Sequence, residues 1–350
     1  MALNTSVVGK KAVQQVRSTP LAVNPIAPTV DFDADGVQHG HLRLPYSRDD
    51  SAWGSIMIPI TVIRNGAGPT ALLTGGNHGD EYEGPIALFD LALNLDPEQV
   101  TGRVIIVPAM NYPAFCACRR TSPIDGANMN RLFPGRANGT VSEKIADYFQ
   151  TALLPLADIV LDFHSGGRTL DFVPFAAAHL LDDKDQEAEC MAAMEAFNAP
   201  YSVRMLEIDN VGMYDTAAEN MGKVFVTTEL GGGGTATAWS ASIARKGVRN
   251  LLVHAGILDG EIALEQTVYL DMPSADCFVF AEHEGLVEPC VGLGDLVRKG
   301  DPIARIHPFH RTGSPPATYV AKMDGLLAGR HFQGLAKMGD CLGVVAVPVG

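Results

Sequence analysis

The run Thr74-Gly-Gly-Asn-His78-Gly-Asp-Glu81-Tyr-Glu-Gly84 sets an imidazole and a carboxylate three residues apart. Joined by a third nitrogen or oxygen ligand, such a pair can hold a divalent metal that keeps an open position for water. The pattern follows the apolar run 71–74 and leads into a helical stretch, 85–95. That context puts it at the carboxyl end of a strand, where open α/β sheets bind their ligands. Glycines at 75, 76 and 79 let the chain turn sharply enough to aim both side chains at one point. A third ligand is available in Asp158-Ile-Val-Leu-Asp162-Phe-His164-Ser, where His164 closes another apolar run. Asp162, two residues earlier, is a candidate acceptor that would fix the imidazole tautomer from behind. A further run, Val224-Phe-Val-Thr-Thr-Glu229, ends in a carboxylate before Gly231–Gly234. A glutamate there can act as general base toward a metal-activated water. Four candidate groups at the ends of three strands are the strongest chemical signal in the chain.

Two other histidine patterns compete. His39-Gly-His41 would share one face of a strand, and so could hold a metal. The plainer reading, two surface histidines flanking a glycine before an edge strand, is preferred. His307-Pro-Phe-His310 carries Pro308, which disfavours a helix, and reads as two loop histidines. The glycines at 231–234 lack a following GK[ST], so they read as a flexible turn rather than a phosphate cradle. Lys322 and Lys337, each within Ala-Lys-Met, read as surface lysines.

The elements that position these groups follow from periodicity. Residues 1–36 have no sustained pattern and read as an arm. Ser55 to Ile63 alternates as a strand, closed by Arg64-Asn-Gly-Ala-Gly68. From 70 to 258 short apolar runs (71–74, 104–108, 159–163, 224–228) alternate with helical stretches. One of these, 142–154, starts behind a candidate Ser142 cap and carries Ile145, Tyr148, Phe149, Ala152 and Leu153 at helical spacing. Alternation of this kind implies βαβ crossovers and a mostly parallel mixed sheet covered by helices, an α/β fold. After 262, Gly- and Pro-punctuated short strands take over. The expected organisation is an α/β catalytic domain over 1–262, with its arm and N-terminal strands, and a smaller all-β, barrel-sandwich-like domain over 263–350.

Composition excludes several functions. The 350 residues carry 26 Lys+Arg against 40 Asp+Glu, a formal charge of −14, without a basic block. Nucleic acid is therefore not an expected partner, since phosphate binding needs a basic surface. No apolar run approaches the ~18 residues that span a bilayer, and the N-terminus lacks the apolar core of a secretory signal. Six cysteines without a CxxC pair suggest reduced thiols and a cytoplasmic protein. A homo-oligomer is expected only because dimers are the commonest assembly.

The motifs together, His78-x-x-Glu81, Asn128-Met-Asn130-Arg131-Leu-Phe-Pro-Gly135, Asp162-Phe-His164-Ser and Thr228-Glu229, resemble the succinylglutamate desuccinylase/aspartoacylase family, relatives of zinc carboxypeptidases that cleave the amide of N-acylated amino acids. The resemblance covers roughly residues 70–235, and an all-β tail suits the family's C-terminal domain. It implies one zinc per chain on His78, Glu81 and His164, Glu229 as the base, and substrate contacts from Arg120, Asn130 and Arg131. One departure is Asn128, where the family usually has Asp. The physical reading of the arginines agrees, because guanidinium binds a carboxylate bidentately. The stretches 36–50 and 77–85 are similar to the deacetylases that act on Nα-acetyl-L-2,4-diaminobutyrate in ectoine breakdown. That implies a small N-acyl amino acid with a cationic side chain as substrate, for which Asp80, Glu83 or Asp125 would supply the acid. Alternatives within the same site are an N-acylaspartate or succinylglutamate deacylase and a carboxypeptidase-like peptidase. A non-catalytic binding protein is the alternative from a different class.

Overall fold

The computed structural model describes residues 23–205 and 210–349. Four strands, Gly102–Val107, Thr70–Gly75, Ile159–His164 and Val224–Glu229, lie side by side and parallel at the centre of a mixed sheet of 15 strands. Their side chains alternate between two cores. Leu73, Leu161 and Val226 enter one hydrophobic cluster, whereas Leu72, Val160 and Phe225 enter the other. Both faces are thus buried, which is why these strands read in the sequence as unbroken apolar runs rather than alternations.

Helices Glu83–Asn94, Lys184–Phe197 and Ala238–His254 cover the first face, contributing Leu88, Phe197 and Leu251 to its core. Helix Val141–Tyr148, its wider-wound continuation Phe149–Leu153 and helix Tyr214–Glu219 cover the second. The expected Ser142 cap is corrected here. Thr140 caps the helix, accepting from the Glu143 amide while the Glu143 carboxylate accepts from the Thr140 amide. The reciprocal pair satisfies two of the otherwise unpaired amides of a helix start. Ser142 is inside the first turn, and its amide and hydroxyl both donate to Asp125.

At one edge the sheet turns antiparallel: Ser55–Asn65 pairs with Gly102–Val107 and with Gly36–Pro45. At the other, Phe175–His179 runs antiparallel to Val224–Glu229 and is followed by Tyr201–Met205. Val268–Asp271 extends this edge and joins it to Cys341–Val349, so the end of the chain belongs to the central sheet. Beyond lie additional C-terminal strands, including a four-stranded sheet in the order Ala317–Val320, Pro302–His307, Gly285–Pro289, Leu335–Ala336, whose Ile306 shares a separate core with Leu327 and Val345 of the larger sheet. Strand Gly325–His331 pairs with Leu170–Phe172, which lies just past His164. No helix among the described residues is long and apolar enough to cross a membrane.

Candidate metal centre

Because Thr70–Gly75, Ile159–His164 and Val224–Glu229 are adjacent and parallel, their carboxyl ends open at one edge of the sheet. The register sets Glu229 directly opposite His164. The loop after Thr70–Gly75 brings His78 and Glu81 to the same edge, and it fits because Gly79 is bare. A Cβ there would lie 2.0 Å from the carbonyl carbon of Ala114, inside the backbone of the neighbouring segment. Glu229 is followed by a turn of the same kind, where a Cβ on Gly232 would lie 2.0 Å from the Leu170 carbonyl oxygen.

His78, Glu81 and His164 offer ligand atoms that all lie within 4.8 Å of one another, making them a group that could hold a metal ion. His78 Nδ1 lies 2.8 Å from Glu81 Oε1, and His164 Nδ1 lies 3.0 Å from Glu81 Oε2. The outer nitrogens are also engaged: His78 Nε2 is 3.2 Å from Asn128 Oδ1, and His164 Nε2 is 2.8 Å from Asp162 Oδ2. Asp162 is buried and in turn accepts from Thr74 Oγ1 at 2.7 Å and Asn77 Nδ2 at 3.2 Å. The Ser165 amide donates to Glu81 Oε2 at 3.2 Å.

This arrangement fits a metal. Each imidazole faces an oxygen at both nitrogens, which would require a second proton on each ring. The ring centroids are only 5.0 Å apart, so two imidazolium charges would repel in a buried site. Burial holds His78 below its ordinary value, whereas at His164 the carboxylates of Asp162 and Glu81 outweigh burial and hold it well above. Glu81 is held well below the usual carboxylate range, its burial outweighed by the two histidines. A divalent cation in place of the inner protons would be held by His78, Glu81 and His164 and would let both rings stay neutral, with their Nε2–H groups donating to Asn128 and Asp162. Two histidines and a carboxylate, each oriented from behind, are the donor set of a hydrolytic site with an open position.

The other expected residues divide. Glu229 has its Oε2 buried, with no hydrogen-bond partner among the described residues, and its carboxyl is pushed up to about 8 by burial and by Glu81. Arg120, half-exposed, places Nη1 3.5 Å from Glu81 Oε1 and is at the centre. Asn130 is buried, and its amide oxygen accepts from the Tyr214 N–H at 2.9 Å, so that oxygen anchors the start of helix Tyr214–Glu219. Arg131 is exposed and donates to the Asn130 carbonyl at 2.6 Å. Of the three acids considered for a cationic substrate, Asp125 accepts from the amides of Ser142 and Ala127 and from the Ser142 hydroxyl, tying down a loop. Asp80 accepts from the Arg168 amide, and Glu83 accepts from the Ser240 hydroxyl. Residues the sequence reading did not single out are Thr74 and Asn77, which donate to Asp162, and the Ser165 amide, which donates to Glu81. Asn77 adjoins His78, but no spacing rule marks it.

The competing histidines are elsewhere. His39 and His41 are exposed on strand Gly36–Pro45, and no further ligand joins them among the described residues. His307 proves to be the last residue of a strand rather than a loop residue, paired with Glu288, and His310 pairs with Glu284.

Comparison with known proteins places these features. The model of the succinylglutamate desuccinylase/aspartoacylase catalytic domain matches residues 67–255. The chain is 56% identical over 325 residues to the N-alpha-acetyl-L-2,4-diaminobutyric acid deacetylase of Halomonas elongata, covering 92% of this chain and 95% of that protein. Among solved structures, the product-bound ectoine utilization protein EutE (DoeB) of Ruegeria pomeroyi is 66% identical with a TM-score of 0.92, covering 93% of this chain and 99% of that one. A succinylglutamate desuccinylase of Silicibacter sp. TM1040 is 63% identical, also with a TM-score of 0.92, covering 94% and 100%.

Proposed function

The chain belongs to the succinylglutamate desuccinylase/aspartoacylase family of amidohydrolases, and from that premise we propose that it is a zinc-dependent deacetylase converting Nα-acetyl-L-2,4-diaminobutyrate to diaminobutyrate and acetate. The observation that carries the chemistry is the convergence of His78, Glu81 and His164 beside Glu229. The substrate is argued from the deacetylase with which the chain shares 56% identity over 92% of its length.

His78, Glu81 and His164 would hold the zinc. When bound, zinc supplies a Lewis acid that lowers the pKa of a coordinated water from ~15.7 to about 7. Glu229, opposite His164 in the register, takes the proton from the attacking water and returns it to the departing amine. Its partly buried setting suits both halves of that task, because a carboxyl raised by burial both accepts and releases a proton near neutral pH. Arg120, alongside Glu81, is assigned to the oxygen that becomes negative as the acyl carbon turns tetrahedral. Arg131 and the amide NH₂ of Asn130 are assigned to the substrate carboxylate, the Asn130 oxygen being occupied by Tyr214. All six cysteines are free thiols, which supports a cytoplasmic setting.

A substrate panel read by amine release tests the proposal on zinc-loaded enzyme whose metal content has been measured. Expected is a kcat/KM for Nα-acetyl-diaminobutyrate well above those for N-acetylaspartate, succinylglutamate and dipeptides. A preference for a dianionic substrate overturns the substrate and leaves the metal chemistry standing. Full activity in protein without stoichiometric metal overturns the chemistry.

A further inference from the structure

We propose that Asn128 is a positioning residue of the metal centre, whose single amide oxygen selects the metal-binding tautomer of His78 and ties that ligand to the turn carrying Asn130 and Arg131. The inference rests on the reading of His78, Glu81 and His164 as the metal ligands.

Asn128 precedes the short turn Met129–Arg131, and its Oδ1 caps it by accepting the Asn130 N–H at 3.0 Å. A backbone N–H can only donate, so the side-chain atom that it meets is the oxygen and the amide orientation is fixed. The same oxygen lies 3.2 Å from His78 Nε2. Facing an acceptor, Nε2 carries the proton and donates. A neutral His78 then has its lone pair on Nδ1, the atom that faces Glu81. One oxygen therefore serves two donors, His78 and Asn130, from separate segments of the chain, and the ligand cannot rotate without disturbing the turn behind it.

The two histidine ligands are supported unequally. His164 donates to the carboxylate of Asp162, whereas His78 donates to a neutral amide. A carboxylate behind an imidazole raises its basicity toward a metal, and an amide does so much less. An amide rather than a carboxylate behind His78 therefore leaves the centre one unit less negative than an aspartate would, and His78 the weaker donor of the pair. An aspartate at 128 would accept from both donors and add the missing charge. A residue that only capped the turn would change folding stability without changing metal affinity, which separates the two roles.

The test is a zinc titration of metal-depleted full-length protein against a chromophoric chelator, for wild type, Asn128→Ala and Asn128→Asp. Thermal unfolding of each metal-free protein is recorded alongside. Expected is a zinc affinity 10–100-fold weaker in Asn128→Ala, in line with loss of a supporting partner, and one equal to or tighter than wild type in Asn128→Asp. Cobalt-loaded Asn128→Ala should also show a shifted visible spectrum, because the His78 ring is released. Wild-type affinity in Asn128→Ala overturns the proposal, and so does an Asn128→Asp protein that binds zinc more weakly than wild type. The second comparison decides alone if Asn128→Ala does not fold. Wild type that takes up no zinc instead overturns the ligand set on which the inference rests.

Discussion

Replacing Glu229 by Gln separates what this residue does for the reaction from what it costs the fold. The substitution is isosteric, and in the wild type Oε2 is buried without a hydrogen-bond partner among the described residues, so no observed hydrogen bond of that atom is lost. The groups acting on the carboxyl are Glu81 and Glu83, which push it up together with burial, and His164 and Arg120, which pull it down. The net effect lifts it from the ordinary 4.5 to about 8. Below pH 4.5 both the folded and unfolded chains hold this proton, and Glu229 costs nothing. Between 4.5 and about 8 the unfolded chain ionises first, so stability falls as pH rises. Above 8 the full penalty is in place, with a ceiling of roughly 5 kcal/mol at 1.36 kcal/mol per pH unit. Glu229→Gln removes that penalty. Urea unfolding of metal-free protein should therefore show the variant more stable than wild type at pH 9 by up to this amount, and nearly equal at pH 5. The zinc-loaded variant should keep its metal and lose about 10²–10⁴-fold in kcat. A stability difference that does not change between pH 5 and 9 would refute the electrostatic reasoning. Turnover close to wild type would remove Glu229 from the reaction.

Two further substitutions test the scaffold around the site. Gly79→Ala puts a Cβ 2.0 Å from the Ala114 carbonyl carbon and 2.2 Å from the Phe115 nitrogen, both backbone. It should cost about 1–3 kcal/mol or more in thermal unfolding and weaken zinc binding by displacing His78 and Glu81; an unchanged melting temperature contradicts the packing. Asp125→Ala strips the acceptor from Ser142 and Ala127 and should cost about 1–3 kcal/mol. The ratio of kcat/KM for acetyl-diaminobutyrate over N-acetylaspartate should not change, and a fall in that ratio would assign Asp125 to the substrate instead.

Residues whose meaning is local were legible before the fold was known. The apolar runs ending at Thr74, His164 and Glu229 announce buried strands, and strands separated by helices imply parallel neighbours, so the ends of those runs had to meet at one edge. Strand Phe175–His179 was not legible. Its Phe-Ala-Ala-Ala-His sequence lacks β-branched residues, and alanine favours helix over strand. What makes it a strand is tertiary: it is fully buried, pairs with Val224–Glu229 on one side and Tyr201–Met205 on the other, and small side chains are what the covering helices leave room for. The cap at Thr140 was missed by two residues for a related reason. Ser142 and Thr140 are both capable caps, and Asp125, seventeen residues upstream of Ser142, is what claims the serine.

The same distinction explains why a group that could hold a metal was readable along the sequence while an acid suited to a cationic side chain was not. A ligand set is a requirement on residue type and on position at a strand end, and both are written along the chain. A specificity acid is defined by what is left over after folding, namely a carboxylate oxygen that no part of the protein has claimed. Asp125 has both oxygens engaged by Ser142, and Asp80 and Glu83 each have one engaged, by the Arg168 amide and the Ser240 hydroxyl. Asp80 Oδ1 and Glu83 Oε2 are buried with no hydrogen-bond partner among the described residues. Burial pushes the Glu83 carboxyl up to about 7, so near neutral pH a large share of it is protonated and a poor counter-charge for an ammonium group. Asp80 lies between His78 and Glu81 in the loop itself and is buried. Nothing in the local sequence around these three acids distinguishes them; only the partners each acquires in the folded chain do.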